Sequence, residues 1–296
     1  MEAMLIDNIT KNYGKHEVLK GITLNIEQGE IFTLLGENGA GKSTLINILT
    51  TLAKPTSGVA KILGHDVQTE ADQVRKVLSL NSQAVTLDDE FTGFENMKLV
   101  GSLLGIPDLR RRIETISQRL HLTDFLHKKV GTYSGGMKRR LDIAVTLLPD
   151  TEIVFLDEPT TGVDPKNRLE IWQLIQELKA AGKTIFLTTQ YLDEADRLSD
   201  HIAFINGGKI SLMGTPAELK KQVRDRQQIE VAKEAIQQVT AILTEATIPY
   251  TLENNVLIVD GGDLQPALRR LVAAEIPVLT TTALELSLEE VFLDAT

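Results

Sequence analysis

One stretch of nine residues limits the possible folds of this chain more than any other part of its sequence. It follows an apolar run, 31–35, that is typical of a strand buried on both faces of a sheet, and it leads into a predicted helix from Lys42 to about Leu52. The stretch matches the pattern G-x-x-x-x-G-K-[ST] and consists of Gly36, Glu37, Asn38, Gly39, Ala40, Gly41, Lys42, Ser43 and Thr44. A strand, a glycine-rich loop and a helix in this order present backbone N–H groups and a helix N-terminus to phosphate oxygens. The sequence therefore predicts a phosphate-binding P-loop within an α/β domain.

The last residues of the P-loop indicate how a nucleotide is held. The ammonium group of Lys42 is expected to reach the β- and γ-phosphates, and the hydroxyl of Ser43 is expected to bind Mg²⁺. The structural alternative is a glycine-rich turn that happens to precede a helix, and the surrounding strand and helix favour the P-loop. We therefore predict that the chain binds the phosphates of a nucleotide together with Mg²⁺.

A second apolar run, 153–156, ends in two acidic residues, Asp157 and Glu158. By itself such a run is often only the exit of a strand, but after a P-loop it favours a role in hydrolysis. We expect its end to lie beside the end of the P-loop strand, with Asp157 in the Mg²⁺ shell and Glu158 polarising the attacking water. Lys42 and Glu158 are thus candidate catalytic residues.

Strands and helices alternate through most of the first 220 residues, which predicts an α/β domain with a largely parallel sheet. We assign this domain to 1–220 and a helical subdomain to about 84–145. The remaining predicted elements of the domain are strands over 3–8, 17–26, 184–188, 201–205 and 209–213 and a helix over about 168–181.

The composition changes near 220–228, where charged residues cluster, and this segment is interpreted as a linker. Beyond it, the predicted order of elements is βαββαβ, which is typical of a ferredoxin-like α+β unit. We assign this C-terminal domain to 227–296 and expect it to serve dimerisation or regulation, because it carries no recognisable catalytic constellation.

Composition and charge exclude several function classes. The chain has no cysteine, so it has no disulfide framework and no thiolate metal site, and its net charge of −10 disfavours a nucleic-acid partner. The N-terminal residues lack the pattern of a signal peptide, and no window approaches 18 consecutive apolar residues, so we expect no membrane span.

A third motif separates the families of P-loop proteins. The segment 133–141 reads Tyr-Ser-Gly-Gly-Met-Lys-Arg-Arg-Leu and lies shortly before the Asp157 strand. Alone, Ser-Gly-Gly is more often a simple turn. In this position it resembles the signature of the nucleotide-binding subunits of ATP-binding cassette (ABC) transporters, which begins Leu-Ser-Gly-Gly-Gln, and the resemblance covers about residues 3–220.

The resemblance implies roles for further residues. In that family the signature of one subunit closes on the ATP held by the P-loop of its partner, which implies that Ser134 and Gly136 complete the γ-phosphate site of a second copy. Tyr13 matches the aromatic residue that stacks on adenine, and Gln83 matches the glutamine that touches Mg²⁺ and senses the transmembrane partner. The family's switch histidine is replaced here by Gln190, whose amide still donates a hydrogen bond.

Several variants resemble the daunorubicin-resistance branch of ABC exporters. These are the Tyr and Met of the signature, the segment 188–196 and the C-terminal segment 287–293. Members of this branch pair with a separate permease of the ABC-2 type, which implies a peripheral ATPase on the cytoplasmic face of the cell membrane. The helical subdomain is expected to receive a permease helix in an apolar cleft formed by Val85, Leu87, Phe91 and Phe94.

Two alternatives remain open from the sequence. One is a soluble ABC ATPase that is not coupled to transport. The other is a regulatory module that holds ATP without useful turnover, which only Gln190 favours and the intact Glu158 opposes. The transported substrate is also open, because its binding site belongs to the permease.

Overall fold

The computed structural model describes residues 1–221, 226–253, 255–283 and 287–295. It divides the chain into two compact units, Met1–Pro216 and Ala217–Thr296. The predicted linker at 220–228 lies partly outside the described residues, which omit 222–225. Within the described residues, no helix has both the length and the apolar character needed to cross a bilayer.

The first unit alternates strands and helices along most of its length. In chain order its elements are β1 (Glu2–Tyr13), β2 (His16–Glu27), β3 (Ile31–Leu35), α1 (Lys42–Leu49), β4 (Ser57–Ile62), β5 (His65–Asp66), α2 (Ala71–Val77), β6 (Leu78–Asn81), α3 (Gly93–Leu103), α4 (Leu109–Arg119), α5 (Gly135–Thr146), β7 (Ile153–Asp157), α6 (Pro165–Ala180), β8 (Thr184–Thr189), α7 (Leu192–Leu198), β9 (His201–Asn206) and β10 (Lys209–Gly214). The strands and helices predicted from the sequence are confirmed, with ends that shift by a few residues, whereas β4, β5, α2 and β6 carry no clear signal in the sequence.

A six-stranded sheet forms the centre of this unit, in the order β10-β9-β3-β8-β7-β6. Its strands are parallel apart from the β9–β10 hairpin. The expectation that the Asp157 strand lies beside the P-loop strand is wrong, because β8 pairs with both of them and lies between them. Thr188 of β8 is opposite Leu34 of β3 on one side and opposite Asp157 of β7 on the other.

Alternate side chains of the central strands enter two separate hydrophobic cores. Phe155 and Phe186 point to one face, where the antiparallel sheet β2-β1-β4-β5 and helix α1 cover them. Val154 and Leu187 point to the other face and pack against the helices. Because both faces are covered, β3, β7 and β8 are buried at every position and mostly apolar, which explains the apolar runs in the sequence.

Side-chain hydrogen bonds fix the first turns of α3 and α5 in the helical part of the first unit. Thr92 caps α3 in a capping box with Glu95, and Ser134 caps α5 by accepting a hydrogen bond from the N–H of Met137 at 3.3 Å. Between them, Tyr133 is buried, donates to the carbonyl of Phe125 at 2.6 Å and packs edge-on against its ring. The tyrosine of the signature segment is therefore part of the core.

The second unit contains a four-stranded antiparallel sheet in the order β12-β13-β11-β14. Its elements, with the helix that crosses the division between the units, are α8 (Pro216–Lys220), β11 (Arg226–Val231), α9 (Ile236–Glu245), β12 (Tyr250–Glu253), β13 (Val256–Asp260), α10 (Gly261–Ala273), β14 (Val278–Ala283) and α11 (Leu288–Ala295). From β11 to β14 the order is the βαββαβ that the sequence predicts, and its two helices cover one core with the sheet.

Candidate functional site

The P-loop follows β3 and turns sharply into α1. Gly41 precedes the helix with a φ of 112°, in the left-handed region that favours glycine. A Cβ atom on Gly36 would lie 2.3 Å from the carbonyl oxygen of Ile205, so no side chain fits there. These two glycines allow the loop to pass close to β9 and then turn into α1.

Lys42 is buried at the base of this loop, with 4% of its surface exposed. Its Nζ donates to the carbonyl oxygens of Gly36 at 2.7 Å and Glu37 at 3.0 Å, and lies 3.2 Å from Oε1 of Glu158. A lysine ammonium has three donors, and all three have acceptors here. A phosphate oxygen that binds Lys42 therefore replaces one of these three acceptors.

The carboxylate of Glu158 is the point where separate segments of the chain meet. Its Oε2 accepts hydrogen bonds from Nε2 of Gln83 at 3.2 Å and from the hydroxyl of Thr161 at 3.1 Å. The backbone of Glu158 has a φ of 49°, in the left-handed region. Such a conformation costs about 1–3 kcal/mol for a residue other than glycine and is typical of functional sites.

Asp157 is held differently from its neighbour. It is buried at the end of β7, and its Oδ1 accepts a hydrogen bond of 2.5 Å from the hydroxyl of Thr188. The two acidic side chains thus face different partners, one in the sheet and one at the P-loop. This separation allows one carboxylate to serve a cation and the other a water molecule.

The structure brings Lys42, Gln83 and Glu158 into one connected group, but other predicted site residues lie apart from it. Tyr13 is half exposed, and the Nζ of Lys11 lies 4.8 Å from the centre of its ring. Among the described residues, no hydrogen bond joins Tyr13, Ser134, Gly136 or Gln190 to the P-loop of the same chain. Ser134 is exposed at the start of α5, and a Cβ on Gly136 would lie 2.5 Å from Cγ of Asn167.

Two buried charged residues near Glu158 were not recognised as site residues from the sequence. Arg139 belongs to the basic triplet of the signature segment and donates to the backbone around Glu158. Glu194 lies in the segment 188–196 that marks the exporter branch. The sequence gives one signal that Glu194 faces inward: it lies four residues before the apolar Leu198, which places both on one face of a helix.

Glu194 is fully buried beneath the segment that follows Glu158. Its Oε1 accepts hydrogen bonds from the hydroxyl of Thr160 and from Nε1 of Trp172, both at 2.8 Å. Burial raises the pKa of this carboxyl, and the hydrogen bonds from Thr189, Trp172 and Thr160 act in the opposite direction without cancelling the effect.

Comparison with known proteins identifies close relatives of the chain. A family model described as ABC transporter matches residues 19–161. The daunorubicin resistance ATP-binding protein DrrA3 of Streptomyces coeruleorubidus is 41% identical over 251 residues, which are 84% of this chain and 78% of that protein. The daunorubicin/doxorubicin resistance ATP-binding protein DrrA of Streptomyces peucetius is 42% identical over 75% of this chain and 68% of that protein.

Solved structures of similar fold are also ATP-binding cassettes. A nucleotide-free cassette of an ABC transporter superposes with a TM-score of 0.68 at 27% identity, over 75% of this chain and 95% of that one. A dimeric, post-hydrolysis cassette bound to ADP and phosphate superposes with a TM-score of 0.65 at 27% identity, over 72% of this chain and 98% of that one.

The raised pKa of Glu194 leads to a prediction about stability and pH. The folded chain binds the proton of Glu194 more tightly than the unfolded chain, so this group stabilises the fold at low pH and loses that contribution as the pH rises through its folded pKa. In Glu194→Gln, which keeps an acceptor for Thr160 and Trp172, the free energy of unfolding should therefore rise relative to the parent as the pH increases above 4.5, the ordinary pKa of a glutamate.

Urea unfolding of the parent and the variant at each pH measures this difference. Glu152→Gln removes one carboxylate at an exposed position and serves as the matched control. A Glu194→Gln difference that stays constant across the pH range would contradict the prediction.

Proposed function

The chain belongs to the ABC transporter family, as an ATP-binding subunit that hydrolyses ATP for export, and we propose that its catalytic site is completed when two copies close head-to-tail on two molecules of ATP. The observation that best supports hydrolysis at this site is the contact of Glu158 with both Lys42 of the P-loop and Gln83. This contact connects the residue that we assign to water activation with the phosphate site and with the edge of the helical subdomain.

The P-loop and Lys42 bind the phosphates in this proposal. Phosphoryl transfer to water depends on positioning and charge neutralisation more than on covalent chemistry. Backbone N–H groups of residues 36–44 and the ammonium of Lys42 provide positive charge on one side of the γ-phosphate. Glu158, whose carboxylate lies beside Lys42, orients the attacking water and accepts its proton, while Gln83 and Thr161 hold the carboxylate in place.

We propose that Mg²⁺ is bound jointly with the nucleotide. Magnesium prefers oxygen ligands, keeps several waters and is usually bound by one or two protein groups together with substrate phosphates. The described residues include no cluster of three or more His, Cys, Asp or Glu able to hold a metal by themselves. Ser43, Asp157 and Gln83 offer a hydroxyl, a carboxylate and an amide oxygen, which fits such a shared ion; its charge would neutralise the phosphates.

Two residues at the start of the signature segment are assigned to the partner's nucleotide. Ser134 is exposed at the N-terminus of α5, and a Cβ placed on Gly135 would meet no atom within 4 Å. A helix N-terminus that faces open space in its own chain is suited to bind an anion from outside. We therefore assign Ser134 and Gly136 to the γ-phosphate of the second copy, which also explains why they lie apart from their own P-loop.

Tyr13 is assigned to the adenine ring. Its own ring is half exposed, and Lys11 lies over it at 4.8 Å. Aromatic rings stack in offset arrangements that bury apolar surface, so an exposed ring at this position is suited to a purine. Asp164 caps α6 by accepting from the N–H of Asn167 at 3.2 Å, and it lies in the segment 161–164, which resembles the family's loop that crosses the dimer interface.

We propose that a separate permease of the ABC-2 type docks on the helical subdomain, which places the chain on the cytoplasmic face of the membrane. The first unit has a groove of about 630 Å³ beside this subdomain. Its apolar lining includes Val100, Leu104, Ile106 and Pro107. None of the four residues predicted to form the cleft lines this groove; Leu87 and Phe94 pack against the core, while Val85 and Phe91 are partly exposed.

This groove ends next to the proposed catalytic residues. Its floor includes Asn81 and Ser82, which immediately precede Gln83. A permease segment bound here lies close to the residue that contacts Glu158. The names of the two Streptomyces relatives refer to daunorubicin and doxorubicin, which supports a drug as the cargo of the assembly.

The role of Glu158 predicts the behaviour of Glu158→Gln. The variant keeps the shape and hydrogen-bonding capacity of the side chain but loses its basicity, so turnover should fall by roughly 10²–10⁴-fold while ATP still binds. The uncleaved nucleotide should then hold the two copies together. Steady-state ATPase rates and light scattering at saturating MgATP measure both effects; a monomer with confirmed nucleotide occupancy would refute the sandwich dimer.

Two variants test the proposed role of Gln190. If its amide donates a hydrogen bond to the γ-phosphate, Gln190→Ala should lower turnover by up to about 10²–10³-fold, the scale for loss of one preorganised donor. Gln190→His keeps a donor and should change turnover by no more than several-fold. ATPase rates of both variants at one saturating MgATP concentration decide this, and an alanine variant as active as the parent would remove Gln190 from the site.

A further inference from the structure

The guanidinium group of Arg139 lies inside the first unit, with only 4% of the residue exposed. Arginine has five N–H donors arranged in a rigid plane. In this structure every donor-bearing nitrogen is used. Nε donates to the carbonyl of Pro159 at 2.8 Å, Nη1 donates to the carbonyl of Ser82 at 2.8 Å and to Oδ2 of Asp142 at 3.3 Å, and Nη2 donates to the carbonyls of Asp157 at 3.1 Å and Glu158 at 3.2 Å.

The four carbonyl acceptors of Arg139 lie on the two segments that fix the proposed water-activating carboxylate. Three of them are the consecutive carbonyl groups of 157–159, at the end of β7 where the backbone of Glu158 is left-handed. The fourth carbonyl belongs to Ser82, the residue before Gln83, whose amide donates to the Glu158 side chain. One planar cation thus sets the distance between the backbone of Glu158 and the segment that holds its carboxylate.

Asp142 supports Arg139 from the same helix, α5. It is buried three residues after Arg139, and its Oδ2 also accepts a hydrogen bond of 2.6 Å from Nδ2 of Asn81. Burial raises the pKa of Asp142 and lowers that of Arg139, while their mutual attraction and the hydrogen bond from Asn81 oppose these shifts. The pair is therefore a fixed part of the fold, and removal of either partner leaves a buried charge without compensation.

A lysine at position 139 does not reproduce this arrangement. Its ammonium is a compact point charge with three donors on a flexible chain, whereas the guanidinium plane reaches acceptors on two segments at once. The charge alone is not the essential property, because four of the five acceptors are neutral carbonyl groups. What matters is the fixed geometry of the donors.

We propose that Arg139 is a positioning residue for ATP hydrolysis: it holds the backbone of 157–159 against Ser82, so that Glu158 and Gln83 keep the geometry needed to orient the attacking water. The inference rests on the proposed role of Glu158. Arg139 touches neither nucleotide nor water in this scheme, and its effect should appear in the rate of the chemical step and not in the affinity for ATP.

The test is Arg139→Lys in the full chain, with steady-state ATPase kinetics. We expect kcat to fall by roughly 10–100-fold, the scale for a misplacement of about 1 Å at a reacting centre, while KM stays within about twofold, since binding and the chemical step respond separately. Arg140→Lys is the matched control, because the neighbouring guanidinium points away, to Glu170 at 2.8 Å. Binding of ATP to Arg139→Lys combined with Glu158→Gln should equal that of Glu158→Gln alone.

Thermal unfolding of each variant identifies loss of the fold. If Arg139→Lys does not fold, the double variant Arg139→Gln with Asp142→Asn decides the question, because it removes both charges of the buried pair and leaves neither without its partner; a several-fold lower kcat with unchanged KM is then expected. A folded variant with the kcat of the parent, or with a higher KM alone, overturns the proposal. Normal turnover in Glu158→Gln instead overturns the proposed role of Glu158, so the two failures are distinguishable.

Discussion

The contact between Lys42 and Glu158 is the interaction on which the rest of the structure depends. Both side chains are almost fully buried, with 4% and 5% of their surfaces exposed, and their charged atoms lie 3.2 Å apart. Removing one partner of a buried ion pair leaves an uncompensated charge, at a cost of about 3–5 kcal/mol. The fold must therefore bring the P-loop and the end of β7 to one place and keep both groups supplied with hydrogen bonds.

The central sheet and helix α5 meet this requirement in different ways. The strand β8 pairs with β3 on one side and with β7 on the other, so it sets the spacing between the strand before the P-loop and the strand that ends at Asp157. Its Thr188 donates a hydrogen bond to Asp157 directly. Arg139 of α5 holds the backbone just beyond β7. Asn81, Ser82 and Asp142 line the groove beside the helical subdomain. Asn81 donates a hydrogen bond to Asp142, and Ser82 accepts one from Arg139, so the groove is connected to the same hydrogen bonds.

The sequence predicts the parts of this arrangement that depend on neighbouring residues. The P-loop is visible because glycine spacing, a preceding apolar strand and a following helix all lie within one short segment, and the buried strands are visible because both of their faces are apolar. The βαββαβ order of the second unit is also predicted, because each strand and helix has its own local sequence pattern. The position of β8 is not, because pairing between strands is decided by long-range contacts that leave no local pattern.

Buried charges are the second group that the sequence does not reveal. Arg139 lies between two other basic residues, a pattern that is typical of an exposed surface, and only the tertiary structure shows that it faces carbonyl groups inside the fold. Glu194 likewise lies among acidic residues in the sequence, so the sequence does not indicate that it is buried. Apolar spacing likewise does not tell which apolar residues pack against the core and which line a groove: Leu87 and Phe94, two residues of the expected cleft, pack against the core.

The central claim is that ATP is bound and hydrolysed at the site where Lys42 meets Glu158, and Lys42→Ala tests it most directly. The substitution removes a charge-assisted contact with the phosphates, so MgATP binding, measured by calorimetry, should weaken and ATPase activity should be abolished. Lys54→Ala, at an exposed position shortly after α1, is the control and should retain both. Turnover of Lys42→Ala at the rate of the parent would contradict the account.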